Sequence, residues 1–571
     1  MKKSIFLAVL GLSFALYSCN DDDDDINDDD IITTEIVKTN AEAEALGNAV
    51  YGPLQRLSSS FSFLIELATE STISFEAADD NGGPIISRLE HGATTGVVTA
   101  HDYPDKVFSR LYESIGSSNI AIEKLDSSKV TTKLSQETKK LVKARVKFTR
   151  ALSYHYLVQL YGEVPLKLQQ TDANVTTRAS IDEVYAQIVR DLTEAEADLP
   201  LYDSNKANPS KGAANAILAR VYLAWASNPL TQAQLEAIKA SQTDPAAPTW
   251  NTERLQKAVD YANKVIDSEQ YSLLADYNRN FGVAGENGVE HIYTIHHEGD
   301  GVDAQGNHQT HCPFTNRFTN LTADFHIGPA DATLLNRFDS NDKRKLLTYT
   351  TRLFNTDERN QEYKWEFPVT TPIYGKWIHR SGYATTGTSP TIERAGGSSA
   401  AQPNNINRIE IRYAEVLLIK AEALFFQNKA AEALPLINQL RERAFGEHFE
   451  HDNKLTTLTK ENLFREWDLE LNFEQKHWTN LVRWRTLVST VKTVANFEYY
   501  KPAYNTTDGV IAKAKELNPS IQNGDVNAAF FVKINKHLHA KYDNVKGKHY
   551  RFPIPQLSGI DQGVTPQNPG Y

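Results

Sequence analysis

What most limits the fold of this chain is a long succession of segments in which apolar residues return every three to four positions, the period of one helix face. Segments 40–57, 104–126, 135–161, 180–198, 210–227, 252–268, 408–427, 429–443, 459–475 and 476–489 carry this pattern. Several form adjacent pairs. In the clearest, Arg412 to Leu424 mixes Ala414, Ala421 and Ala423 with Val416, Leu417 and Leu418, Asn428-Lys429 makes a turn, and Ala430 to Arg443 returns. The small residues let two helices approach closely, and a hairpin of this kind must stack on neighbours to bury its apolar face.

The predicted class is therefore mainly α, a tetratricopeptide-like scaffold of helical pairs, although no exact repeat of about 34 residues recurs along the chain. Two stretches interrupt it. Residues 70–103 contain Asp79-Asp80-Asn81-Gly82-Gly83-Pro84 and few helix signals. Residues 281–405 are rich in Gly, Thr, Asn and Pro, with short alternating segments such as His291-Ile292-Tyr293-Thr294-Ile295. A long, irregular, partly β insertion on a rigid scaffold is where binding loops are expected.

Composition removes several functions. A formal charge of −12 over 571 residues does not suit a phosphate backbone, so nucleic acid is not an expected partner. Met1 is the only methionine, which excludes a Met-rich adaptable groove. Cys19 and Cys312 are the only cysteines, too few for a zinc site of several thiolates. No Walker loop, dinucleotide fingerprint or nucleophile elbow occurs, so neither a cofactor nor a catalytic triad is expected.

The N-terminus reads as an address. Lys2 and Lys3 precede the uncharged run Ser4 to Tyr17, too short to span a bilayer but suited to a signal peptide. Leu16-Tyr17-Ser18-Cys19 resembles a bacterial lipobox. That resemblance implies removal of residues 1–18 and lipidation of Cys19. Cleavage would take two lysines and leave a charge of −14. Residues 19–35 then carry Asp21 to Asp25 and Asp28 to Asp30, a self-repelling tether that does not fold. An acidic run directly after a lipidated Cys resembles the signal that sends some Gram-negative lipoproteins to the outer face of the outer membrane.

From the lipobox to the last residue the chain resembles the SusD/RagB family of outer-membrane nutrient-binding lipoproteins. The matching blocks are Arg145 to Pro165, Ile188 to Leu192, Ala216 to Leu223, Ala258 to Ile266, Arg412 to Glu415, Asn438 to Ala444, Phe552 to Pro555 and Gln567 to Tyr571. Near the last family helices Glu466, Glu470, Leu471, Glu474, Leu481, Arg483 and Trp484 fit the pattern, while His477 and Asn480 replace a charged Arg/Asp pair. The resemblance implies a SusD-like fold, with an N-terminal helical part over 36–270 and a C-terminal part over 271–571 packed as one unit. It also implies capture of an oligosaccharide and delivery to a SusC-like TonB-dependent transporter. A relative capturing oligopeptides is the alternative within the family. A surface glycoside hydrolase and a ligand-free helical adaptor are the alternatives outside it.

Four groups of residues are candidates for chemistry. Glu466, Glu470 and Glu474 recur at i,i+4; they would lie along one helix rather than across a sugar-binding cleft, so a structural ladder paired with Arg465, Arg483 or Arg485 is expected. His296, His297, His308, His311 and Cys312 are the densest potential metal cluster, but they sit in a Gly-rich stretch that would not fix their geometry, and no metal is expected. His155 reads as a packed, hydrogen-bonded histidine, and Trp225, Trp467, Trp478 and Trp484 as core. Sugars present C–H faces between hydroxyls, which rigid aromatic rings can cover at low entropic cost. The insertion holds Tyr293, Tyr363, Trp365, Tyr374, Trp377 and Tyr383 among polar residues such as Asp324, Arg352, His379 and Arg380. Trp365, Trp377 and Tyr374 are the expected platform, followed by Tyr293, Trp250 and Tyr383.

Overall fold

The computed structural model describes residues 36–74, 82–91, 103–281, 285–297, 327–350, 353–354, 362–363, 373–374, 376, 407–526, 528–555 and 566–571. The N-terminal helices are α1 (Asn40–Ala49), α2 (Gly52–Leu67), α3 (Gly82–Ser87), α4 (Tyr103–Ser127), α5 (Gln136–Tyr161), α6 (Ile181–Asp198), α7 (Lys211–Ala226), α8 (Gln232–Ile238) and α9 (Thr252–Ile266). The C-terminal helices are α10 (Lys345–Thr348), α11 (Tyr413–Phe426), α12 (Ala430–Phe445), α13 (Lys460–Leu471), α14 (His477–Trp484), α15 (Leu487–Lys492), α16 (Thr507–Leu517) and α17 (Ala528–Asn544).

Local signals explain most boundaries. Ser135 opens α5 by accepting a hydrogen bond from the Thr138 amide, and Gly162 closes it at φ +78, a conformation costly for a residue with a Cβ. Ser180 and Glu183 form a capping box at the start of α6. The expected helix 40–57 instead breaks at Val50–Tyr51, and Gly52-Pro53 starts α2, because proline is tolerated only in a first turn. The expected 476–489 helix breaks at Arg485, whose φ of +57 ends α14.

Helices pack as neighbouring pairs: α4 on α5, α5 on α6, α7 on α9, and α11 on both α9 and α12. Helix α7 is buried nearly all round because Ala213, Ala214, Ala216 and Ala219 present almost no bulk. At its start, a Cβ on Gly212 would stand 2.4 Å from the Tyr271 ring. Asn428, at φ +62, turns α11 into α12 as the hairpin reading requires.

One expectation for this region fails. Residues 408–412 are a strand, not the start of a helix. Arg408-Ile409-Glu410-Ile411-Arg412 alternates with the period of two that suits a strand. The first strands are β1 (Thr72–Ser74), β2 (Val164–Pro165), β3 (Arg178–Ala179), β4 (His291–Ile295) and β5 (Ile327–Pro329). They are followed by β6 (Tyr349–Thr350), β7 (Leu353–Phe354), β8 (Glu362–Tyr363), β9 (Ile373–Tyr374) and β10 (Arg408–Arg412). All pair antiparallel, β1 with β5, β2 with β3, β4 with β10, β6 with β9 and β7 with β8. The β4–β10 pair sets Ile295 opposite Arg408 and His291 opposite Arg412, so the two ends of the long insertion leave the scaffold side by side.

The main core runs from Leu54 and Phe148 through Leu417 and Trp478 to Phe552, and so joins residues from both halves of the chain. A second core lies under the insertion, where Ile73, Tyr277, Phe281, Tyr374 and Phe473 meet Val510, Phe531 and Leu538 of α16 and α17.

Candidate functional site

The carboxylate ladder is where strand β10 meets the last helices. Glu466, Glu470 and Glu474 are all buried, with side-chain exposures of 1, 0 and 2%. Arg344 Nη1 donates to Glu466 at 2.5 Å and to Glu470 at 3.0 Å, and Arg344 also pairs with Asp342. Arg412 reaches Glu290, Glu470 and Glu474 at 2.6–2.9 Å. Arg443 binds Glu290 at 2.8 Å and also Glu470, and Arg441 pairs with Glu466. Lys376 donates to Glu474 at 2.8 Å and to the Asn472 carbonyl at 2.6 Å.

The ladder is thus structural, but its partners are not Arg465, Arg483 or Arg485. Arg465 donates to the Arg337 carbonyl, Arg483 pairs with Glu422, and Arg485 donates to the carbonyls of Ala246 and Asn228. Those three arginines are close in sequence, whereas the true partners come from a distant strand, helix and loop. Burial raises the Glu470 pKa, but Arg443, Arg412 and Arg344 outweigh it and hold the group well below its ordinary value. A carboxylate so occupied and covered offers no proton to a glycosidic oxygen.

A second cluster lies at the end of α2. His477 Nε2 sits 3.0 Å from Glu70, and its Nδ1 is 3.3 Å from Asp468; Arg337 also pairs with both carboxylates. Burial lowers the imidazole pKa, but Glu70 and Asp468 overcome this and push it up to about 9. His477 therefore remains an ion-pairing cation. Its partners are Glu70 and Asp468, while the Asn480 side chain accepts from Arg483.

Glu66 accepts the Gln475 amide hydrogen, and its pKa rises to about 7 chiefly because it is buried. Burial raises the Glu70 pKa, but His477 and Arg337 outweigh it and hold the group below its ordinary value, so Glu66 and Glu70 titrate far apart, as an acid/base pair would, but they are only 2% and 1% exposed.

The aromatic candidates divide. Tyr374 is 8% exposed, stacks on Phe473 at 3.4 Å, donates to the Ser71 carbonyl and lies 2.9 Å from the Thr72 hydroxyl. Tyr293 is 0% exposed, with its ring edge-on to Phe148. Both are corrections: these rings root the insertion in the scaffold and have no face for a ligand. Trp250 is half-buried before α9, with one face against Phe426 at 4.1 Å. Trp365, Trp377 and Tyr383 lie outside the described residues, as do Cys19 and the acidic tether.

Trp467, Trp478 and Trp484 are core, but Trp225 is half-buried. It stacks on Tyr185 and Tyr222, carries the Arg254 guanidinium 3.8 Å above it, and hydrogen-bonds Asp182. His155 is fully buried but, among the described residues, neither ring nitrogen has a hydrogen-bond partner; burial pulls its pKa down to about 3 and keeps it neutral. Among the described residues no group of His, Cys, Asp and Glu is placed to hold a metal. Of the histidine cluster only His296 and His297 are described: the His296 carbonyl accepts from Gln55, and the His297 amide donates to Asn407.

The insertion thus leaves the scaffold from a charged and aromatic base built by β4, β10, α13 and α14. Comparison with known proteins bears on what such an architecture serves. The model described as "SusD family" matches residues 267–571, more than half of the chain. The chain belongs to the SusD family. A second family model, "Starch-binding associating with outer membrane", matches residues 64–223.

Among curated proteins, SusD-like protein P2 of Formosa agariphila is 26% identical over 429 residues, covering 70% of this chain and 74% of its own length. Among solved structures, a SusD homolog from Bacteroides thetaiotaomicron aligns over 94% of this chain and 98% of its own, with a TM-score of 0.65 at 21% identity. Surface glycan-binding protein A from the same organism, solved in complex with laminarihexaose, aligns over 93% of this chain and 100% of its own, with a TM-score of 0.60 at 17% identity. Such likenesses establish the SusD fold here.

Proposed function

We propose that this SusD-family protein is a non-enzymatic, outward-facing lipoprotein that captures oligosaccharides and passes them to a SusC-like TonB-dependent transporter. The observation that carries the reading is the family match over the C-terminal half together with a fold shared along almost the whole chain. One family description names starch binding and the outer membrane, and a structural neighbour was solved in complex with laminarihexaose. Cys19 would carry the lipid, and the acidic tether would direct the protein outward. Several acyl chains hold a protein stably where one does so only marginally.

Within this reading, Trp365, Trp377 and Tyr383 are the proposed sugar platform, with Trp250 a weaker one. Tyr374 and Tyr293 are instead packed against Phe473 and Phe148. The reading is tested by retention of the mature protein in gels containing neutral polysaccharides. Retention without shortening of the glycan supports it. Retention by no glycan, with binding of oligopeptides instead, would assign the chain to the peptide-capturing alternative. For the anchor, Cys19→Ala should release the protein from membranes; a variant that still pellets with the outer membrane would contradict lipidation at that residue.

A further inference from the structure

Between α5, α7 and α14 a cleft runs in two continuous parts that share Gln159, Ala224, Thr479 and Arg483. Its charge is unbalanced. Arg220, Lys476, Arg483, Arg485 and Arg551 line it, and Arg408 stands behind it on β10. Against these six cations, the carboxylates within ion-pair distance among the described residues are Glu410, Glu415 and Glu422. Glu410 serves Arg220, Arg408 and Lys476; Glu415 serves Arg220 and Lys476; Glu422 serves Arg483. Glu163, which also acts on Arg551, is paired with Arg178 at 3.6 Å.

The excess falls at one end. Among the described residues, Arg485 donates only to the carbonyls of Ala246 and Asn228, and Arg551 only to those of Tyr550 and Leu230. Each guanidinium therefore spends two of its five N–H groups on the protein. Arg551 is 2% exposed, so its charge is largely stripped of water, and among the described residues no carboxylate is in contact with it, a costly arrangement. Arg485 also sits at φ +57, ψ +48, the left-handed helix cap that glycine usually takes. The walls are aromatic and polar: Tyr185 and Trp478 are almost fully buried, and the Thr479 hydroxyl gives its hydrogen to the Lys476 carbonyl and keeps its lone pairs. Tying down loop carbonyls would account for two donors on each arginine, but neutral amides would do that without stranding charge.

We propose that this cleft binds an oxyanion, a carboxylate or sulfate group, between Arg483, Arg485 and Arg551. Planar guanidinium forks match both groups in geometry and charge. The site lies on the helical scaffold and stands whether or not the aromatic platform holds a neutral glycan. The oxyanion could be a substituent of an acidic sugar or a free ion, and the probes separate these sources.

The test is calorimetric titration of the full mature chain in detergent with sodium sulfate, D-glucuronate and N-acetyl-aspartate amide, at ionic strength held constant. Saturable binding of at least one probe is expected, weakened tenfold or more in Arg485→Gln and abolished in Arg485→Glu, whose own carboxylate would occupy the cleft. The surface control Lys513→Gln should bind like wild type. Preference for glucuronate points to an acidic sugar, preference for sulfate to a sulfate ester or the free ion, and preference for the aspartate amide to a protein side chain. Arg485 is half-exposed, so both variants are expected to fold, and their melting curves check it. Non-saturable heats with all three probes, or equal affinity in wild type and folded Arg485→Gln, would overturn the proposal.

Discussion

Substituting Glu470 by Gln should destabilise the protein by about 3–5 kcal/mol, the cost of breaking a buried ion pair by removing one partner. The network around it is balanced in charge. Arg344, Lys376, Arg412, Arg441 and Arg443 face Asp342, Glu290, Glu466, Glu470 and Glu474, five of each sign. Nine of these ten side chains are no more than 4% exposed, Arg441 being the exception at 14%. Glu470 touches three of the cations, so neutralising it strands one full positive charge where water cannot reach.

An exposed pair gives the contrast. Lys454 and Glu450 are 48 and 67% exposed, and Glu450→Gln should cost less than about 1 kcal/mol. Urea denaturation followed by tryptophan fluorescence measures both. Glu470→Gln should lower the midpoint with an unchanged slope. The double variant Glu470→Gln, Arg443→Gln restores neutrality and should cost less than the two single changes summed. A Glu470→Gln protein within about 1 kcal/mol of wild type would refute the reasoning. A Glu470→Gln protein of native stability that had lost a glycan-cleaving activity would mean the ladder is catalytic instead.

Other outcomes follow from the same contacts. Tyr374→Ala should cost about 3–5 kcal/mol by emptying a ring site against Phe473, whereas Tyr374→Phe should cost about 1–3 kcal/mol by taking the phenol from the buried Thr72 hydroxyl and leaving the Ser71 carbonyl with the Ala330 amide alone; equal melting temperatures for wild type and Tyr374→Ala would contradict its burial. His477 has its pKa raised from 6.5 to about 9, so its ion pairs contribute fully below about pH 6.5 and are lost as pH rises through about 9. The stability advantage of wild type over His477→Gln should therefore shrink by about 3 kcal/mol between pH 6.5 and 9.5; a constant difference would show that His477 is not charged in the fold. Trp365→Ala and Trp377→Ala should leave melting nearly unchanged and weaken retention in a glycan-containing gel. If both retain the glycan like wild type, the platform lies elsewhere.

The scaffold was legible because helices announce themselves locally. The turn at Asn428-Lys429 and the alanines of α7 are readable without any tertiary knowledge. The strand at 408–412 was not, because an apolar helix follows it directly and its charged residues face a charged interior that only the fold assembles. Helix α17 is hidden for a related reason: Asn535, His537 and Lys541 occupy its buried face, where a sequence reading looks for apolar residues, while α16 buries only Val510 and Ala514, too few to mark a helical period. Lys541 instead donates to the carbonyls of Leu67, Thr69 and Thr72.

Tyr293 and Tyr374 look like ligand platforms in sequence because they stand in irregular or short alternating segments, where no helical period separates core from surface. Their burial comes from partners far away in the sequence, Phe148 for Tyr293 and Phe473 for Tyr374. The ladder's role was legible from its spacing, and its partners were not, for the same reason of distance.

The most direct test of the central claim is native affinity electrophoresis of the mature protein through gels containing single polysaccharides, with the glycan recovered and sized afterwards. Concentration-dependent retardation by at least one glycan is expected, with recovery of that glycan at its original length and loss of retardation in the Trp365→Ala, Trp377→Ala double variant while it melts like wild type. Unretarded migration through every glycan, or recovery of shortened chains, would contradict it.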